Sequence, residues 1–240
     1  MRISGAVEES LTIGIVGGIS PESTLAYYRH IIRAHTAARG DHSYPRIVVA
    51  SVSFQRYIDW QHAGDWTAIA RGLEQELQAL RAAGADFAII AANTMHKVVP
   101  DMVPALPLLH VVDAVAAEAA SRGVRRLGLT GTAFTMNDGF YGRGLSERGL
   151  EVVLPDEDER RDIHRMVYDE LIFGRAETAS RERFAAIARR LVERGAEAVL
   201  LACTELVLIA PDVPWIDTAE VHALAAWRHA IRAGDKARPR

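Results

Sequence analysis

The sequence predicts an α/β protein of two pseudo-symmetric parallel-sheet lobes, which arose by internal duplication and enclose an active-site cleft between them. Short apolar segments alternate with longer amphipathic segments, which is the order of strands and helices in βαβ units. Several apolar segments lack polar alternation, as expected of strands that are buried on both faces of a parallel sheet. Two pairs of segments also repeat at nearly the same separation, which indicates the duplication.

The apolar runs give the predicted strands, and the amphipathic segments between them give the predicted helices. The strands fall at residues 11–16, 47–54, 87–91, 108–112, 126–130, 152–154, 198–202 and 215–216. The helices fall at residues 21–38, 65–83, 113–122, 137–148, 159–173, 179–194 and 219–233, with a short helix at 204–209.

Residue types at the helix ends support these boundaries. Ser20 supplies a hydroxyl N-cap ahead of Pro21, which suits the first helical position. Asp65 can cap the second helix in the same way. Gly84 and Gly195 follow helical runs, at the position where a left-handed residue commonly ends a helix.

The internal repeat is visible in two places. Residues 80–94 (LRAAGADFAIIAANT) resemble residues 191–205 (LVERGAEAVLLACTE), since each joins a helix end, Gly-Ala, an acidic residue, an apolar strand and a turn of small residues. Residues 13–18 likewise resemble residues 127–132. Fixed-period similarity of this kind is typical of related half-chains.

The repeat predicts the domains and the place of the site. The first lobe is predicted to contain residues 1–112 and 218–240, and the second lobe residues 113–217. In open α/β sheets, ligands bind beyond the carboxyl ends of the strands. We therefore expect the turns at 91–94 and 202–205 on opposite walls of one cleft, where small-molecule sites commonly lie.

Composition and charge narrow the class of protein. The formal net charge is −3 and no block of Lys or Arg forms a stripe, which argues against nucleic acid or a membrane as a partner. No apolar run reaches the roughly 18 residues of a membrane span, and the first ten residues do not resemble a signal peptide. The single cysteine excludes an internal disulfide, so we expect a cytoplasmic protein.

Cys203 is the first candidate catalytic residue. It ends an apolar strand and precedes the short predicted helix, where the helix dipole and free N–H groups favour a thiolate. A thiolate can remove a proton and a thiol can return one. The alternative is a small buried hydrophobic residue, since free cysteines are often buried.

Asn93 and Thr94 are candidate ligands for a carboxylate, because they follow a strand and offer amide, hydroxyl and backbone N–H groups. The alternative is a turn that only caps the next helix.

The nine histidines show no metal-binding spacing, although His96, His110 and His222 lie near element ends and could order a cleft. No dinucleotide fingerprint or pyridoxal-type lysine context appears, so neither a metal nor a cofactor is expected.

From about residue 11 to residue 227, the chain resembles the aspartate/glutamate racemase family of cofactor-independent amino-acid racemases, and is closest to the branch that accepts L-aspartate and L-glutamate. The resemblance is carried by residues 15–24 (IVGGISPEST), 93–97 (NTMHK), 129–132 (LTGT), 202–205 (ACTE) and 217–222 (DTAEVH). It implies a homodimer and a small carboxylate substrate.

The resemblance also implies site residues. Two opposed acid/base residues exchange the α-proton in this family; Cys203 matches the second, whereas Ala92 occupies the first position and leaves it without an acid or base. Substrate-binding roles are implied for Asn93, Thr94 and Thr204, and for Gln61 at a substrate-contacting position.

The family often has a charge-clamping lysine just before the glycine that is Gly174 here. This sequence has Ile172 and Phe173 at that place, and Arg56 or Arg143 could replace the clamp.

Three hypotheses follow from the vacant first position. The protein is a racemase or epimerase of aspartate or glutamate in which water, or a side chain such as His96, acts from the face of Ala92. Alternatively, it is a single-cysteine lyase resembling arylmalonate decarboxylase, in which one acid suffices because decarboxylation itself creates the carbanion. In the third hypothesis, it is a non-catalytic protein that binds a carboxylate.

Overall fold

The computed structural model describes the backbone of residues 10–236 and the side chains of residues 10–231. The prediction that the first ten residues are not a signal peptide therefore falls almost entirely outside the described residues. Contacts divide the chain into two compact units. The first contains the chain up to Ala91, Asp101–Leu109, and the chain from Ala223; the second contains Ala92–Pro100 and His110–His222. The domain boundaries predicted from the repeat remain a prediction.

The first unit is built on a three-stranded parallel sheet in the order β2-β1-β3. Its strands are β1 (Ile13–Gly17), β2 (Ile47–Ser51) and β3 (Phe87–Ile90). Its helices are α1 (Pro21–Arg39), α2 (Phe54–Ala63) and α3 (Trp66–Ala82). Every residue of β1 and β3 is buried, as their unbroken apolar sequences predict.

The second unit has a four-stranded parallel sheet in the order β5-β4-β6-β7. Its strands are β4 (Arg126–Gly131), β5 (Glu151–Val153), β6 (Ala198–Ala202) and β7 (Trp215–Asp217). Its helices are α4 (Val111–Ser121), α5 (Ala133–Asn137), α6 (Phe140–Ser146), α7 (Glu157–Asp169) and α8 (Thr178–Glu193). Helix α9 (Thr218–Lys236) begins in this unit and continues into the first. The predicted class, two parallel-sheet α/β lobes, is confirmed.

Three short 3₁₀ helices belong to the second unit, apart from the last residue of the first of them. They are Thr94–Asp101, Leu171–Phe173 and Thr204–Ile209. The first follows β3 and the third follows β6, so each begins where a parallel strand ends. This is the position at which open α/β sheets place ligand-binding groups.

The helix caps predicted at Ser20 and Asp65 are confirmed. The Ser20 hydroxyl accepts a hydrogen bond from the Ser23 N–H at 3.3 Å, and the Asp65 carboxylate accepts one from Ala68 at 2.9 Å. Gly195 has φ of 95°, a left-handed conformation that side chains other than hydrogen disfavour. These local signals lie in residues adjacent in sequence, which is why they could be read without the tertiary structure.

One predicted strand was wrong, and a second ends earlier than predicted. Residues 108–112 do not form a strand: Leu108 makes one isolated parallel bridge with Ala88, and α4 begins at Val111. His110 caps that helix, because its Nδ1 accepts a hydrogen bond from the Val112 N–H at 3.2 Å. The strand predicted at 47–54 ends at Ser51, and its last apolar residue instead begins α2, a helix that the prediction lacked.

The predicted helix at 137–148 is also different in the structure. It is replaced by α5 and α6, with Gly139 between them at φ of 79°.

Within the described part of the chain, every helix is too short or too polar to cross a lipid bilayer.

Candidate functional site

The candidate site lies in the second unit, at the carboxyl edge of its sheet. Gly131 at the end of β4 pairs with Ala202 at the end of β6, so the chain leaves both strands side by side, as Thr132 and Cys203. A Cβ atom on Gly131 would lie only 3.0 Å from the carbonyl oxygen of Ala202. Glycine therefore allows the two strand ends to approach closely, and this brings the following loops together.

Three buried threonine hydroxyls meet at this edge, and we call Thr94, Thr132 and Thr135 the threonine cluster. Each pair of Oγ1 atoms is 3.3 Å apart. A hydroxyl carries one proton that rotates to suit its partner, so the cluster can turn its donors toward an anion. Sequence reasoning identified Thr94 but not the other two, because only the fold brings residues 132 and 135 to residue 94.

Asn93 is held by a buried hydrogen-bond chain. Its Nδ2 donates to Thr218 Oγ1 at 2.9 Å, and its Oδ1 accepts from the Tyr141 hydroxyl at 3.1 Å. Thr218 in turn donates to the carbonyl of Leu201 at 2.9 Å, two residues before Cys203. Burial raises the pKa of Tyr141, which keeps this hydroxyl protonated as a donor. These hydrogen bonds hold the Asn93 turn against β6. They use one of the two N–H groups of the Asn93 amide, and the second can donate to a ligand.

Ala92, which the sequence resemblance predicts at the first acid/base position, is half-buried, and its carbonyl oxygen lies 2.9 Å from Nδ1 of His96. The His96 ring is 1% exposed, and its centroid lies 4.6 Å from that of His110 and 5.4 Å from that of His222. Burial lowers the pKa of His96 well below its ordinary value, and the two neighbouring rings lower it further. His96 is thus a neutral, buried ring, and this environment argues against its acting on a substrate as the replacement base.

Cys203 is half-buried, and its thiol donates to Oε2 of Glu205 at 3.0 Å. The Thr204 hydroxyl donates to the same oxygen at 2.8 Å. Burial raises the pKa of the Cys203 thiol well above its ordinary value, and the charge of Glu205 adds to this effect. The expectation that the helix dipole favours a thiolate was therefore wrong, because a single short 3₁₀ helix offsets neither burial nor the carboxylate.

Glu205 and Tyr168 were not predicted as site residues. Tyr168 packs against the same hydrophobic cluster as Cys203, and burial raises its pKa to about 12, with contributions from Cys203 and Glu205. Glu205 could have been found from its place two residues after the thiol, where a side chain folds back easily. Tyr168 gives no such signal, because it is far away in the sequence.

The remaining predicted contacts are distributed as follows. Gln61 is buried on α2 in the first unit, and its substrate-binding role remains a prediction. Arg56 lies over the Trp60 ring at 5.9 Å, and Arg143 is exposed. Among residues 10–231, no three His, Cys, Asp or Glu side chains are grouped so that they could hold a metal ion.

A thiol paired with a carboxylate and a cluster of three threonine hydroxyls thus lie at the carboxyl edge of the second parallel sheet of an α/β protein. The chain belongs to the Asp/Glu/Hydantoin racemase family, which it matches over residues 16–226. This membership supports an isomerase of the amino-acid racemase class.

Solved structures of similar fold agree with this assignment. A protein from Yersinia pestis, provisionally assigned as an Asp/Glu racemase, is 36% identical with a TM-score of 0.85, covering 92% of this chain and 99% of that one. An aspartate racemase homologue from Pyrococcus horikoshii is 35% identical with a TM-score of 0.80, covering 91% and 98%. An aspartate racemase from Picrophilus torridus, 24% identical with a TM-score of 0.74 and coverage of 92% and 94%, supports the fold alone.

Proposed function

We propose that the protein is a cofactor-independent racemase or epimerase of a small acidic amino acid, aspartate or glutamate, with Cys203 as its acid/base residue. The observation that carries the proposal is the pairing of the Cys203 thiol with Glu205, next to the threonine cluster. An α-proton can be exchanged only if a proton carrier and an anchor for the α-carboxylate lie close together.

The threonine cluster is the proposed anchor of the α-carboxylate. Thr94, Thr132 and Thr135 are buried, so their hydrogen bonds to an anion would form in a medium of low dielectric constant. Holding the carboxylate by donors also stabilises the enolate-like carbanion, because the negative charge that leaves the α-carbon spreads onto those oxygens.

Cys203 and Glu205 are the proposed proton-transfer pair. To remove the α-proton, the thiol gives its own proton to Glu205, and the resulting thiolate takes the α-proton. The cost of forming the thiolate falls when a substrate ammonium group arrives, since a nearby positive charge favours the ionised form. In the reverse step, the protonated thiol delivers its proton directly to the carbanion.

Water is the proposed proton source on the face of Ala92, because alanine carries no exchangeable side-chain proton. A water molecule there protonates the carbanion, and the hydroxide left behind receives the proton held by Glu205, so that the protons balance. Water is a poorly tuned acid, and we therefore expect exchange from the Cys203 face to be faster than inversion.

A second candidate is the single-cysteine lyase. It is favoured by the raised pKa of Cys203, because a thiol that stays protonated at neutral pH is ready to donate to a carbanion. Loss of carbon dioxide would generate that carbanion without any base. The reaction would therefore need no acid or base at Ala92.

The test is incubation in heavy water with L-aspartate, L-glutamate or an aryl-substituted malonate, followed by NMR and chiral chromatography. Inverted product carrying α-deuterium supports the racemase, whereas carbon dioxide release from the malonate supports the lyase. Saturable binding without exchange or decarboxylation would leave a carboxylate-binding protein. Cys203→Ala should abolish turnover while keeping the thermal midpoint; unchanged turnover would refute the role of the thiol.

A further inference from the structure

Two segments of the second unit, residues 93–97 and 132–141, carry the threonine cluster and the Asn93 turn between them. They are also joined by an ion pair that takes no part in the proposed proton transfer. Nζ of Lys97 donates to Oδ2 of Asp138 at 2.5 Å. The two side chains are 20% and 26% exposed, so water screens this pair less than it screens the ion pairs of the open surface.

The Lys97–Asp138 pair lies in register with the threonine cluster. Lys97 follows Thr94 by three residues in a 3₁₀ helix, which has three residues per turn, so both side chains leave the same side of that helix. Asp138 follows Thr135 by three residues at the end of α5, where residues three apart share a face. The two segments are therefore tied twice, by the contact of Thr94 with Thr135 at 3.3 Å and by the ion pair about one turn further along.

The segment at 132–141 depends on such contacts for its position. Helix α5 has five residues and α6 has seven, and helices this short are not stable on their own in water. The chain turns between them at Gly139, directly after Asp138. Burial of Met136 and Tyr141 keeps the segment packed, but apolar packing is not directional, whereas a hydrogen bond between charges is. The ion pair therefore fixes the place of the turn.

We propose that Lys97 and Asp138 are positioning residues for substrate binding, because their ion pair holds the two segments at the separation at which the hydroxyls of the threonine cluster meet. The inference rests on the proposed function, in which that cluster anchors the α-carboxylate. Donors that are already in place when an anion arrives do not have to be ordered by the binding itself. The ion pair thus acts on affinity, whereas the proton-transfer pair, Cys203 and Glu205, belongs to a different segment, after β6.

The test is a double-mutant cycle of Lys97→Gln, Asp138→Asn and the two together. Asp212→Asn is the matched control, since Asp212 pairs with Arg189 on the exposed surface of the same unit. Three quantities are measured: affinity for succinate, a dicarboxylate without an α-amino group, by calorimetry; KM and kcat for α-deuterium exchange with aspartate and glutamate; and backbone amide hydrogen exchange by mass spectrometry.

Each single substitution should weaken succinate binding and raise KM about 10-fold, the lower end of the effect of a hydrogen bond to a charged group, because both side chains are partly exposed. The value of kcat should change little. The double variant should lose no more than the larger single loss, since residues that act as one pair are not additive. Amide exchange should become faster at residues 132–141 and stay the same in β4, which reports on unfolding of the whole unit.

The measurements separate this inference from the proposed function. Succinate affinity that depends on the ion pair, in a protein that exchanges no α-proton, would support the positioning role and refute the racemase. Additive losses in the double variant, a lower kcat with KM unchanged, an equal effect of Asp212→Asn, or equally faster amide exchange in β4 would overturn the inference whether or not the protein is a racemase. A wild-type protein that does not bind succinate would overturn it as well.

Discussion

Tyr141→Phe tests the buried hydrogen-bond chain that holds the Asn93 turn. The substitution removes one hydroxyl and leaves the ring, which is 0% exposed, in place. Asn93 is 6% exposed, so its Oδ1 would lose the Tyr141 donor at 3.1 Å without gaining ready access to water. An unsatisfied buried acceptor costs about 1–3 kcal/mol, and we expect a loss of unfolding free energy in that range.

The assay is thermal and urea unfolding of the wild-type and variant proteins. For a chain of 150–250 residues, each kcal/mol corresponds to about 2–4 °C in Tm, so the expected decrease is roughly 2–12 °C. Tyr28→Phe is the matched control, since Tyr28 is 47% exposed. Equal unfolding midpoints for the two variants would refute the prediction that the buried hydrogen bond from Tyr141 stabilises the Asn93 turn. We also expect Tyr141→Phe to raise KM more than it lowers kcat, because the turn that it holds is a proposed carboxylate ligand.

Three further predictions follow. His96, which packs against His110 and His222, has a lowered pKa in the folded protein. Below about pH 6.5 the unfolded chain binds a proton at His96 and the folded chain does not. The free energy of unfolding should therefore fall as the pH drops, by up to about 1.4 kcal/mol per pH unit. His96→Gln should flatten that slope in unfolding experiments at pH 7 to 5, and a slope that stays the same would contradict the assignment. Glu205→Gln removes one cause of the raised pKa of Cys203, so thiol alkylation at pH 7 should become faster while α-proton exchange slows, and slower alkylation would disprove the pairing. Ala92→Cys supplies an acid on the vacant face and should raise inversion relative to exchange without inversion in heavy water; an unchanged ratio would show that Ala92 does not face the α-carbon.

Most of the fold could be predicted from the sequence, because its signals are local. The unbroken apolar runs of β1, β3 and β6 predict buried parallel strands, and each of these strands is fully buried. The errors arose where a local signal was ambiguous. Phe54 is the last residue of the strand predicted at 47–54 but begins a helix, and the apolar residues after His110 belong to α4 because His110 caps it.

The site was predicted only in part, because its contacts join distant residues. Cys203 and Thr94 could be identified from their places after strands, and both lie at the carboxyl edge of the second sheet. Thr135 and Tyr168 could not, since no spacing in the sequence relates them to residues 94 or 203. The predicted direction of the pKa shift of Cys203 was wrong. Burial of the thiol depends on the packing of the whole unit, and a short sequence motif carries no information about that packing.

The hydroxyl of Thr218 has a single proton, and it donates that proton to Leu201. Asn93 must therefore be the donor in its own contact with Thr218, and only an amide can fulfil that requirement. Deamidation of Asn93 to aspartate, a common form of chemical ageing, would replace this donor with a negative charge facing an oxygen. A change of one mass unit at this side chain would thus separate aged molecules from intact ones in a stored preparation, and the aged fraction should be the one that has lost substrate affinity.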